Sequence, residues 1–183
     1  MAIQSLLELF GLKKSDAPAS GETATVRKIV RALDELAPER ARYVAAFAYL
    51  LGRVAHSDLD ISQEETQAME EIVREFGHLP EAQAVLVVEI AKAQNELFGG
   101  TENFQVAREF KALSTREQRV ELLHCLFATA AADEEISGVE EEQVRKIADE
   151  LGLSHRELAE VRSKYNEHRQ VLKRLDPGSG SSP

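Results

Sequence analysis

Two short acidic phrases carry most of the chemistry this chain can offer: DLDIS, beginning at Asp58, and DEEIS, beginning at Asp133, 75 residues later. Asp58 and Asp60 in the first, and Asp133 and Glu135 in the second, supply carboxylate oxygens just after an apolar, helix-forming stretch. The last carbonyls of a helix are unpaired and carry the negative end of its dipole, which favours a cation. Hard oxygen donors in that place suit Ca²⁺ or Mg²⁺ better than zinc. Glu65 and Glu140 follow at matching positions and complete six candidate metal ligands. An EF-hand is excluded by spacing: the twelfth residue from each Asp is Met69 or Val144, where a bidentate Glu is required. The competing reading is that the acids only start the next helix. Ser62-x-x-Glu65 and Ser137-x-x-Glu140 are capping boxes, in which Ser and Glu satisfy two orphan amide donors.

Other reactive side chains offer less. His124 and Cys125 are adjacent, and neighbouring helical residues point about 100° apart, so they cannot work as a nucleophile–base pair. With Leu122, Leu126 and Phe127 around them they read as core or near-core. His56 precedes the first acidic turn, but its counterpart in the second copy is Ala131. His78, His155 and His168 fall near helix ends or on polar faces. There is no Gly-rich phosphate loop, metalloprotease His pair or serine elbow. The chain reads as a non-enzyme, with no catalytic residue assigned.

The elements that must position the turns are helices. With the 75-residue offset and no gap, Ile61, Ser62 and Glu65 fall on Ile136, Ser137 and Glu140. Met69, Ile72, Phe76 and Gly77 fall on Val144, Ile147, Leu151 and Gly152. Upstream, YVAAFAYLLGRVA and VELLHCLFATAAA also correspond, although the turns before them differ by about two residues. Each copy therefore reads as apolar helix, acidic turn, amphipathic helix. Ser114-x-x-Glu117 and Ser154-x-x-Glu157 open two more helices in the capping-box manner. Gly77 and Gly152 sit where a left-handed C-terminal cap is wanted. Helical spacing recurs in Val26, Ile29, Val30 and Leu33, and in Leu158, Val161, Tyr165 and Leu172. PEAQAVLVVEIAKAQNELF is helical, as is a short stretch after Thr101 ending near Leu113. The expectation is an all-α domain over residues 22–175, of about seven helices with an internal duplication. Residues 1–21 form a short amphipathic segment and a polar linker, and 176–183 (DPGSGSSP) a disordered tail.

The pattern of an Ala-rich helix running into Asp-x-x-Ile-x-x-x-Glu, written twice, resembles the tellurite-resistance TerB-like family. The resemblance is carried by Asp58, Ile61 and Glu65, by Asp133, Ile136 and Glu140, and by the preceding RVAHS and ATAAA, and spans roughly residues 36 to 165. It implies an all-helical, non-enzymatic protein that binds a divalent cation through these acids and serves in stress response and membrane-linked complexes. Leu59 and Glu134 stand where that family has Gly.

Charge narrows the partners. Residues 58–75 and 133–150 each carry a net −6, while the rest of the chain sums to +2 within a total of −10. That acidity repels phosphate backbones, so the expected partner is a protein and not a nucleic acid. A single Cys fits a reducing cytoplasm. No apolar run approaches the roughly 18 residues of a membrane span, and no secretory signal is present. In IQSLLELFGLKK, Ile3, Leu6, Leu7 and Phe10 line one helical face, with Lys13 and Lys14 at its end. Docking on the body or on a partner is the expectation for this segment, and a weak peripheral membrane contact through residues 3–14 the alternative. The functional expectation is a binding module with a cation at the acidic turns. The alternative is an acidic helical adaptor that needs no metal.

Overall fold

The structure, a computed structural model, describes residues 24–55, 62–93, 103–132 and 136–175, with the side chains of 103, 104 and 167–175 outside the description. Eight helices lie among the described residues, against about seven expected, and no strand. They are α1 (Ala24–Asp34), α2 (Pro38–Ala55), α3 (Gln63–Phe76), α4 (Glu81–Lys92), α5 (Asn103–Leu113), α6 (Arg116–Ala131), α7 (Gly138–Glu150) and α8 (His155–Leu175). The linker at 11–21 and the tail at 176–183 fall outside the described residues.

The organising element is α2. From Tyr43 to Leu51 every residue is buried, because the run is apolar on all sides and a helix of that kind is stable only when enclosed. It packs against α1, α4, α5, α6 and α7. Val26, Ile29, Val30 and Leu33 form the buried stripe of α1 that the spacing predicts. Phe110 of α5 meets Tyr43 and Phe47 of α2, with ring centroids 5.2 and 6.1 Å apart. On the other side α6 packs against α2, α3, α7 and α8. Val161 and Tyr165 carry the buried face of α8, with Leu158 half-buried beside them.

Helices recur at the 75-residue offset. The pair α2–α3 has its counterpart in α6–α7, and α3 and α7 both begin at a serine capping box. Ser154 and Glu157 exchange the same reciprocal bonds at the start of α8. The expected box at Ser114 is displaced by one residue: Thr115 and Gln118 form it. The Ser114 hydroxyl instead donates to Phe110 O at 2.6 Å, closing α5, and so is not available to open α6.

The two glycines differ as well. Gly152 has φ +70°, its N–H reaches Asp149 O, and the Leu153 N–H reaches Ala148 O, which is the Schellman cap that a glycine permits. Gly77 is not left-handed, having φ −83°, and the positive φ falls one residue later on His78. Gly77 is required for space: a Cβ there would lie 2.6 Å from Val73 O and 3.1 Å from the Phe47 ring.

Candidate functional site

The acidic turns join the end of α2 to α3 and the end of α6 to α7. Asp58, Asp60, Asp133 and Glu135, with His56, lie outside the described residues. Glu65 and Glu140 are described, and both are caps. Glu65 Oε2 accepts from Ser62 N at 2.5 Å, and Ser62 Oγ accepts from Glu65 N at 3.2 Å. Glu140 Oε2 accepts from Ser137 N at 2.8 Å, with the reciprocal bond at 3.2 Å. The Ser62 backbone N–H, and then its hydroxyl, hold the Glu65 carboxyl below the usual carboxylate range. The two turns are not equally enclosed, since Glu65 is exposed while Glu140 is only 7% exposed. A capping bond takes one of the roughly four lone-pair sites of a carboxylate, so capping and metal ligation are chemically compatible. Among the described residues no group of three or more His, Cys, Asp or Glu side chains clusters as a metal site. The described part of the donor set is all oxygen, which fits Ca²⁺ or Mg²⁺.

Sequence reasoning missed a second feature. A groove of about 1150 Å³ opens between α3, α6 and α8. Ile72 and Phe76 of α3, Val120 and Ala128 of α6 and Tyr165 of α8 give it an apolar floor. Phe76, His124 and Tyr165 form an aromatic triad, with centroids 5.9 to 6.2 Å apart. The Tyr165 hydroxyl donates to His124 O at 2.8 Å and ties α8 to α6. Partial burial, and then the Lys164 ammonium, lower the His124 pKa and favour the neutral ring.

Cys125, its chain neighbour, is fully buried, and burial pushes its thiol pKa up. It is therefore a core thiol and not a nucleophile. The rim carries the ion pair Arg116–Glu157 at 2.6 Å, and His78 Nδ1 lies 3.1 Å from Glu121 Oε1. The Arg116 guanidinium and the Ser154 cap bring the half-buried Glu157 carboxyl down to about 2.

One signal of the groove was present in the chain. Arg53 closes α2 onto α7 through Glu150, at 2.7 Å. At the same offset the counterparts of Arg53 and Glu150 are Ala128 and Glu75. The acid is kept and the cation is lost, so Glu75 stands at the groove without the counterpart of Arg53.

Among the described residues no helix is long and apolar enough to cross a membrane. No curated protein and no solved structure matches the chain. The family model described as Tellurite resistance protein TerB matches residues 43–163, from the first buried residue of the apolar run in α2 to the middle of α8. That span holds both acidic turns and both of the capping boxes that follow them. The chain belongs to the TerB family, an all-helical family that is in general non-catalytic.

Proposed function

We propose that this protein is a non-enzymatic, cytoplasmic binding module of the tellurite-resistance and stress-response type, arisen by internal duplication, that holds a divalent cation at its acidic turns. The observation that carries this reading is the recurrence of one arrangement. An apolar helix end is followed by acids and then by a Ser–Glu capping box, at Ser62 and again at Ser137. Asp58, Asp60 and Glu65 would hold one ion, and Asp133, Glu135 and Glu140 the other. The bound ion would neutralise a turn that otherwise carries several like charges and would couple the end of one helix to the start of the next. Few ligands per turn imply weak sites, with Kd on the order of 10⁻⁴ to 10⁻³ M.

The test is thermal. At a cation concentration ten times Kd, binding to the native state alone adds about 1.4 kcal/mol per site. For a chain of this size that corresponds to a rise in Tm of about 3 to 6 °C per site, and about 6 to 11 °C with both filled. Replacing both Asp58 and Asp133 by Asn is expected to remove the rise while leaving the metal-free protein equal or greater in stability, because carboxylate repulsion is relieved. Ser62→Ala and Ser137→Ala are expected to cost about 1 kcal/mol each with or without cation, since they remove caps. A double Asn variant that responds to Ca²⁺ or Mg²⁺ like the parent would reduce the turns to helix starts.

A second reading, an acidic adaptor that docks a protein partner without metal, is favoured by the groove between α3, α6 and α8. Indifference of both stability and partner binding to chelators would select it.

A further inference from the structure

The two halves of the molecule are not equally covered. Over α2 and α7 lies α5, which packs against both. The side chains of Ala45 and Tyr49 of α2, of Ile147 of α7 and of Leu151 at the α7 C-cap are fully buried. Their counterparts at the 75-residue offset are Val120, His124, Ile72 and Phe76, each of them only partly buried along the open groove. The helix that precedes the first copy, α1, does not cover them, because it packs against α2 and α4.

Charge shows the same gap. On the covered side Arg53 pairs with Glu150, and Arg42 with Glu109 of α5 at 3.7 Å. On the open side the Arg42 counterpart is Glu117 and the Glu150 counterpart is Glu75. Both line the groove, and neither has an ion pair among the described residues. The groove is complementary to an amphipathic helix with an apolar face and a cationic end.

We propose that residues 3–14 of this same chain dock as that helix, taking over α6 and α3 the place that α5 takes over α2 and α7. The apolar residues through which α5 is buried are Val106, Ala107 and Phe110. Leu6, Leu7 and Phe10 repeat their spacing. Lys13 and Lys14 supply cations for Glu75 and Glu117. From Lys14 to Ala24 is ten residues, which reach at most about 33 to 36 Å when extended. A body of this size has a radius of gyration of about 15 Å, hence a diameter of about 38 Å, so the tether reaches the faces next to the start of α1 but not the far side. A helix this short is marginal alone. Tethering presents it at an effective concentration in the millimolar range, which makes weak docking sufficient.

The protein has no Trp, so Phe10→Trp in the full chain places a single reporter on the docking face. Its emission is expected to be blue-shifted and several-fold less quenched by iodide than free Trp, independently of protein concentration. Adding Val120→Glu in the groove is expected to return it to the emission and quenching of exposed Trp, with helix content by circular dichroism unchanged. If that variant loses helix content, Ala128→Arg, which supplies Glu75 with the partner Glu150 already has, serves as the second groove variant and is expected to release the reporter. An exposed reporter in the parent chain would overturn the proposal. So would a buried one that neither groove variant releases. A blue shift that grows with protein concentration would assign the groove to a second copy, and one that appears only with anionic vesicles would assign the segment to a membrane surface.

Discussion

Phe47→Ala is expected to remove about 3 to 5 kcal/mol of stability, a large share of the roughly 5 to 15 kcal/mol that a domain of this kind possesses. Phe47 is fully buried at the middle of α2. Its ring lies 6.1 Å from those of both Tyr43 and Phe110, and a Cβ at Gly77 would crowd its edge at 3.1 Å. Truncation therefore opens a cavity touching α2, α5 and the end of α3 at once, which none of them can collapse to fill alone. Urea titration followed by circular dichroism measures the loss. A cost below about 1 kcal/mol would mean that α2 is not the centre of the core.

Arg53→Ala is expected to be the costliest change among the charged residues, at about 3 kcal/mol. The side chain is only 7% exposed, and its guanidinium meets Glu150 at 2.7 Å across the α2–α7 contact. Removing it strands a partly buried carboxylate, and most of the cost lies in that stranding. The double variant with Glu150→Ala should accordingly cost less than the two single changes added together. Additive losses in a double-mutant cycle, read from denaturant midpoints, would show the pair to be two independent contacts. The same comparison bears on the open groove, where Ala128 and Glu75 stand in these places without the cation.

What the chain reveals in advance depends on how local the physics is. The buried stripe of α1 and the enclosure of α2 follow from apolar spacing alone, and both are present as the residues indicate. The caps at Ser62, Ser137 and Ser154 are set by four-residue chemistry and were equally legible. Ser114 misleads because it and Thr115 begin overlapping candidate boxes. The choice between them is made by the last turn of α5, whose Phe110 carbonyl takes the Ser114 hydroxyl. Gly77 misleads for another reason: its need is for room against Phe47, a contact 30 residues away in the chain, and not for a positive φ.

The groove was the least legible feature. It exists because α1 turns to α2 and α4 while α5 crosses to α2 and α7, a difference in packing partners that no periodicity records. Of the acidic turns, the capping role of Glu65 and Glu140 was readable from spacing. Ligation depends on how the turn arranges Asp58, Asp60, Asp133 and Glu135 around an ion, which spacing does not fix.

The most direct measurement of the cation-binding reading is calorimetric titration of the metal-stripped full chain with Ca²⁺, Mg²⁺ and Zn²⁺. The expected result is saturable heat with Ca²⁺ or Mg²⁺ at Kd on the order of 10⁻⁴ to 10⁻³ M, weaker response to Zn²⁺, and no saturable heat once Asp58 and Asp133 are both Asn. Absence of saturable heat with Ca²⁺ and Mg²⁺ in the parent, or equal heat in the parent and the double Asn variant, would contradict it.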